Sequence, residues 1–162
     1  MQGNTYTSEP ISIATIPLEE VSRVDIEFEQ VDHSGASFEG RVFLNNPEAD
    51  ENTEPSPENG YAGSFFIFGH GGCFGDEGHC EVDVELQQFD PYDPRRSHPL
   101  LPVQMSVEAT EAVRRTASEG GDITVTVVPV ITGLTDQTDL ENVFVFDRHP
   151  RIIAYETEVE TA

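Results

Sequence analysis

Residues 22–31 read SRVDIEFEQV. Val24, Ile26 and Phe28 fall on one side of an extended chain, and Asp25, Glu27 and Glu29 on the other. Side chains of a strand point alternately to opposite faces, so this is a half-buried β-strand with one apolar and one charged face. The same reading extends outward from it. DHSG at 32–35 is a turn, and FEGRVFLN at 38–45 is a second strand with Phe38, Val42 and Leu44 inward. NPEADENTEPSPENG, residues 46–60, is acidic, rich in proline and without a period, and reads as a long solvated loop. YAGSFFIFGH, 61–70, places Phe65, Phe66, Ile67 and Phe68 in a row, which predicts a central strand covered on both faces.

FGHGGCFGDEGHC, 68–80, then leads into CEVDVEL, 80–86, where Val82, Val84 and Leu86 alternate with acids. Two strands joined by a glycine-rich loop predict a hairpin. FDPYDPRRSHPLLP, 89–102, is an irregular connection. SVEATEAVRRTASEGG, 106–121, is the helix candidate, with Ser106 as cap, Val107, Val113 and Ala117 on one side, and Gly120 and Gly121 ending it. DITVTVVPV, 122–130, is a strand with Ile123, Val125 and Val127 on one face, and residues 141–159 supply one or two more. The sum is an all-β chain, an antiparallel β-sandwich of about seven or eight strands with at most one short helix. Residues 1–20 read as an N-terminal extension or edge strand, and 21–162 as the sandwich domain. There is no internal repeat.

The chain has 162 residues, enough for one domain. Thirty-one acidic residues face eight arginines, with no lysine, for a net charge of −23. Such self-repulsion destabilises a compact state at low salt, and a Debye length near 3 Å at about 1 M salt would screen it. The composition therefore predicts a protein adapted to high salt. An acidic surface repels nucleic acid and anionic lipid. No apolar run approaches the ~20 residues of a membrane helix, and MQGNTYTSEP lacks the basic and apolar regions of a signal peptide. The chain is expected to be cytoplasmic, exported by another route, or a piece of something larger.

The order FEGRVFLNNP, GYAGSFFIFGHGG, AVRRTASEGGDITVTVVPV and a closing strand is similar to the C-terminal domain of tyrosinases, plant polyphenol oxidases and molluscan haemocyanins. YAGSF followed by GHGG is the most specific part, and the resemblance covers roughly residues 20 to 160. It implies a β-sandwich without catalysis of its own, which packs over the dicopper site of a separate helical domain and shields it. Fungal members carry cysteines in this region that are implicated in copper loading. The catalytic domain of that family needs six histidines on a four-helix bundle, three per copper. This chain has five, at 33, 70, 79, 98 and 149, so the resemblance implies an accessory domain and not an oxidase.

The chemistry-bearing residues gather in one loop. His70, Cys73, His79 and Cys80 give the spacing H-x2-C-x5-H-C. Thiolate and imidazole together suit copper(I) first and zinc(II) second. His79 and Cys80 are adjacent and point apart in an extended strand, so both reach one ion only if the backbone turns there. The competing reading is a Cys73–Cys80 disulfide that staples the loop, a closure worth about 2–3 kcal/mol. A third is two reduced cysteines packed as small apolar residues. Metal and disulfide exclude each other at any moment, and a redox-switchable site uses both. Ser64 has no G-x-S-x-G context, and a Cys73–His70 or Cys73–His79 nucleophile lacks a third, orienting group. His33, His98 and His149 sit beside turn residues and read as surface or cap histidines. Arg95, Arg96 and His98 form the single basic cluster, read as an internal ion-pair network or an anchor for an acidic partner surface. Two functions follow as expectations: an accessory sandwich whose partner is a dicopper oxidase domain, or a structural module that assembles with identical copies of itself.

Overall fold

The structure is a computed structural model and describes residues 5–33, 35–69, 102–118, 120–131 and 149–156. Their order is β1 (Tyr6–Thr7), β2 (Val21–Val31), β3 (Phe38–Leu44), a 3-10 turn (Pro57–Asn59), β4 (Tyr61–Ile67), β5 (Val103–Glu108), α1 (Thr110–Ser118), β6 (Val125–Ile131) and β7 (Arg151–Glu156). The strands form two antiparallel sheets, β1-β6-β3-β4 and β5-β2-β7. The expected all-β sandwich with one short helix is the fold observed. The residues predicted to face inward do so: Val24, Ile26, Phe28, Phe38, Val42, Leu44, Ile123, Val125 and Val127 are all buried in one core.

β2 shows how its sequence reaches eleven residues. Alternation holds from Val24 to Phe28, but Val21 and Val31 are also buried, each three positions from the nearest inward residue. Register shifts between Val21 and Arg23 and between Phe28 and Val31 reset the parity, the second at Gln30, which has a positive φ of 57°. One expectation fails on the charged face. Asp25 is buried, because Arg23 folds over it and donates from Nε and Nη2 to its two carboxylate oxygens at 2.6 and 2.8 Å.

The YAGSF stretch, residues 61–65, is explained by packing. Phe65 sits opposite Gly40, and a methyl built on Gly40 would lie 2.4 Å from the Phe65 ring. The ring uses that space to reach Phe28 and Phe38, with centroids at 5.1 and 6.2 Å. Gly63 has φ +139°, and a methyl there would meet Val107 at 2.6 Å, so this residue lets β4 approach β5 of the other sheet.

Three further expectations need correction. Ser106 and Val107 do not begin a helix; they belong to β5, where Val107 pairs with Ile26. The alternation of Val103, Met105 and Val107 with polar residues wins there. The helix starts at Thr110, whose hydroxyl accepts from the Val24 N–H at 2.9 Å and donates to Glu108 at 2.7 Å. It buries Ala112, Val113 and Thr116, and the chain beyond it passes through Gly120 at φ +83°.

The acidic stretch 46–60 is not simply solvated. Asp50 accepts from the Asn52 N–H and the Thr53 hydroxyl, Asn46 Nδ2 donates to the Asn59 carbonyl, and Asn59 Nδ2 donates to the Glu54 carbonyl. Ala49 is buried against Phe43 and Val128, so this loop covers one end of the outer face of the four-stranded sheet. Finally, β4 is the outermost strand of its sheet among the described residues, and Phe66 and Phe68 are 65% and 82% exposed. The cover expected on both faces fails at Phe66 on the outward face, while Phe65 and Ile67 are buried on the core face; the hairpin partner expected at 80–86 lies outside the described residues.

Candidate functional site

The strand β4 ends where the cysteine- and histidine-bearing loop begins. Pairing fixes which side chains look outward: Ile67 lies opposite Phe38 and Phe65 opposite Gly40 on the core side, while Phe66 lies opposite Glu39. Glu39 in turn pairs with Val130 of β6, so Phe66, Glu39 and Val130 form one row across the outer face. Arg41, two residues on, donates from Nε to Glu39 at 3.1 Å. The exposed aromatic therefore stands beside a carboxylate that already holds its own counter-ion.

The exit from β4 is pinned. The Gly69 N–H donates to the Ser37 hydroxyl at 3.0 Å. A methyl on Gly69 would lie 2.2 Å from the Gly35 carbonyl oxygen, so the backbone runs tight against the β2–β3 turn. His33 lies in that connection, between the end of β2 and Gly35. His70, Cys73, His79 and Cys80, the expected metal or disulfide residues, lie outside the described residues, as do His98, Arg95 and Arg96. Among the described residues no group of three or more His, Cys, Asp or Glu is arranged to hold a metal ion, and no helix is long and apolar enough to cross a membrane. His149 meets the Tyr6 hydroxyl at 3.3 Å, a link between the two ends of the described chain. Burial, and then Glu9, raises the Tyr6 phenol above its ordinary pKa.

A cleft of about 380 Å³ opens on another side, between residues 44–46, 57–60 and the end of α1. Its charged residues are Glu58 and Arg115. The Glu58 carboxyl is held below the usual carboxylate range, first by its own backbone N–H and the Ser56 hydroxyl and then by Arg115. Arg115 itself donates to the Tyr61 carbonyl at 3.3 Å. The cleft brings no nucleophile beside a base.

The five described arginines all work inside the molecule: Arg23 on Asp25, Arg41 on Glu39, Arg114 on Glu111 and two carbonyls, Arg115 on Tyr61, and Arg151 on Glu27 and Glu29. What sequence reasoning missed is the exposure of Phe66 and Phe68. The signal was present as a run of four apolar residues, which burial on both faces and exposure on one explain equally well.

No protein-family model and no curated protein matches the chain. Among solved structures it is similar to latent aurone synthase (polyphenol oxidase) from natural source, at 17% identity and a TM-score of 0.47, over 96% of this chain and 25% of that one. The recombinantly expressed latent aurone synthase is similar at 15% identity and a TM-score of 0.46, over 96% and 24% of the two chains. The same recombinant enzyme, co-crystallised with hexatungstotellurate(VI) and soaked in H2O2, is similar at 15% and 0.48, over 95% and 25%. The chain spans about a quarter of the length of the solved chains it matches.

Proposed function

We propose that this chain is a non-catalytic accessory β-sandwich of a high-salt environment that docks on a dicopper oxidase domain through the end of β4, and that His70, Cys73, His79 and Cys80 handle copper beside that contact. The observation that carries the reading is the exposure of Phe66 on the strand that holds YAGSF and of Phe68 just past its end. Aromatic side chains exposed together in an otherwise carboxylate-rich surface are what a docking anchor requires, since they bury large apolar area with few rotamers to fix. Phe68 opens the 68–80 stretch, two residues before His70, so the contact adjoins the His/Cys loop in sequence. The motif order supports the choice of a dicopper partner.

The test mixes the purified chain with a six-histidine dicopper oxidase domain lacking any C-terminal domain, in about 2 M salt, where charge repulsion is screened over about 3 Å or less. A 1:1 complex by light scattering and loss of oxidase turnover are expected. The double variant Phe66→Ser/Phe68→Ser should fold normally and weaken the complex by about thirtyfold or more, as loss of an aromatic anchor does. No complex at any salt concentration overturns the docking. Copper(I) titration, with Cys73→Ser and Cys80→Ser alongside, tests the copper part; no stoichiometric binding under reducing conditions ends it. The same exposed pair also favours self-assembly with identical copies, and a homo-oligomer that dissociates in the double variant and ignores the oxidase domain would put that reading in its place.

A further inference from the structure

The edge of β6 is guarded by a strand with very few contacts of its own. Along its other edge β6 pairs with β3 over seven residues, from Val125 to Ile131. On the guarded edge β1 supplies two, Tyr6 opposite Val127 and Thr7 opposite Thr126. Ser8 then donates its N–H to the Val125 carbonyl at 2.9 Å, and its buried hydroxyl accepts from the Val125 N–H at 2.9 Å. Pro10, which has no N–H to donate, interrupts the run. Pairing resumes for one residue only, Ile11 with Ile123, exchanging both N–H···O bonds at 2.8 and 2.9 Å. Ile13 ends the segment as a buried plug in the core.

Residues 14–20 connect this strap to β2, with Ile16 and Leu18 packed against the core. From outside, Arg114 on α1 donates from Nε to the Leu18 carbonyl within this segment at 3.3 Å and from Nη2 to the carbonyl of Val21, where the segment joins β2, at 2.7 Å, while Nη1 pairs with Glu111 at 2.9 Å. Seven residues extended span about 23 Å, enough to carry a strand away from its own body. A strand whose contacts are all reproduced when it is given to an identical chain exchanges at little net cost, and the balance is then set by the hinge and by concentration.

We infer that residues 5–13 are an exchangeable edge strand: closed on β6 in the single chain with Arg114 as the latch on its hinge, and donated to β6 of a second copy when the latch opens. The second copy is the occupant because the acceptor is specific to this segment. The Ser8 hydroxyl fits the Val125 N–H and Ile13 fits its socket in the core. The device covers VTVVPVI, residues 125–131, an apolar β-prone stretch whose bare edge is an aggregation hazard.

Thr7 and Thr126 face each other with hydroxyl oxygens 3.2 Å apart, which suits a disulfide trap. The trap is Thr7→Cys/Thr126→Cys in a Cys73→Ser/Cys80→Ser background, equilibrated in a glutathione buffer with about 2 M salt. With Arg114 present, the cross-link should form within one chain. With Arg114→Ala, the yield of covalent dimer at a given concentration should rise roughly tenfold, the effect of losing about 1.4 kcal/mol of charge-assisted hydrogen bonding from the closed hinge. The exchanged dimer carries two disulfides and no free thiol by labelling and intact mass. A dimer with free thiols, or none at any concentration, overturns the inference. Should circular dichroism show that Arg114→Ala does not fold, the latched trap is refolded from denaturant over a concentration series. A dimer fraction that climbs with concentration supports exchange, and an intramolecular cross-link alone at every concentration overturns it.

Discussion

The outer faces of the two sheets solve one problem in different ways. On the three-stranded sheet the outward residues of β2 are acids, and arginines lie over them: Arg23 on Asp25, and Arg151 from β7 on Glu27 and Glu29. On the four-stranded sheet the outward residues include Phe43 and Val128, and the 46–60 segment lies over them with Ala49, beside Tyr61 of β4. There the Phe43 and Tyr61 rings meet at 5.6 Å. One face is made compatible with water by charge, the other by a cover. The cover does not reach Phe66, in the next row of the same face, which stays exposed. The difference teaches that apolar outward residues on a strand signal a need for cover without saying who provides it.

The sharpest way to break this comparison is to remove the covered aromatic. Phe43→Ala should destabilise the protein by about 3–5 kcal/mol, the usual cost of emptying a buried phenylalanine site. Phe66→Ala, on the same face, should stay within about 0.5 kcal/mol. Guanidinium unfolding of both variants in about 2 M salt reads the contrast. If Phe43→Ala costs as little as Phe66→Ala, the acidic segment is a solvated loop after all and the two outer faces do not differ in kind.

Residues that alternate cleanly were legible in advance, and those that do not were not. Val24, Ile26 and Phe28 against Asp25, Glu27 and Glu29 placed β2 with its core face correct, because a period of two has only one folding consequence. The burial of Asp25 escaped that reading, since it depends on Arg23 two positions away curling back over its own strand. SVEATEAVRR contains both periods, and the helical one extends back over Ser106 and Val107; pairing of Val107 with Ile26, which no local pattern reveals, decides for a strand. The 46–60 segment looked solvated by composition, yet one alanine and a set of Asn and Asp side-chain bonds suffice to seat it. Of the site, the chemistry of Phe65 to Phe68 was readable and its exposure was not. The expectations for His70, Cys73, His79 and Cys80 lie outside the described residues.

A smaller test concerns what seats the cover. The Thr53 hydroxyl and the Asn52 N–H, in that order, hold the Asp50 carboxyl below the usual carboxylate range. A folded-state pKa below the unfolded value of about 3.9 means that the ionised group stabilises the fold. That contribution is complete above the unfolded pKa and is lost as pH falls through the folded one. The melting temperature of the wild-type chain should therefore exceed that of Asp50→Asn near neutral pH, and the gap should narrow as pH drops below about 4. Taking the difference between the two proteins removes the general effect of protonating the other carboxylates. A gap that stays constant down to acid would mean the charge of Asp50 is irrelevant to the cover.

The smallest effect belongs to the face secured by charge. Arg151 reaches both Glu27 and Glu29, but its own side chain is half exposed, so solvent screens the pairs. Arg151→Gln should cost about 0.2–1 kcal/mol at about 0.1 M salt, within the range of exposed ion pairs. The physical content lies in the salt dependence. Without Arg151, Glu27 and Glu29 face each other on one side of β2 with Asp25 next in line, and their repulsion acts over a Debye length of about 10 Å at 0.1 M salt but about 3 Å at 1 M. Brine should therefore rescue the variant almost completely, whereas no salt concentration restores the packing lost in Phe43→Ala. Equal rescue of both variants would show that the two faces are held by the same force, and an Arg151→Gln penalty that survives at 2 M salt would show that the guanidinium acts there as packing along the strand and not as charge.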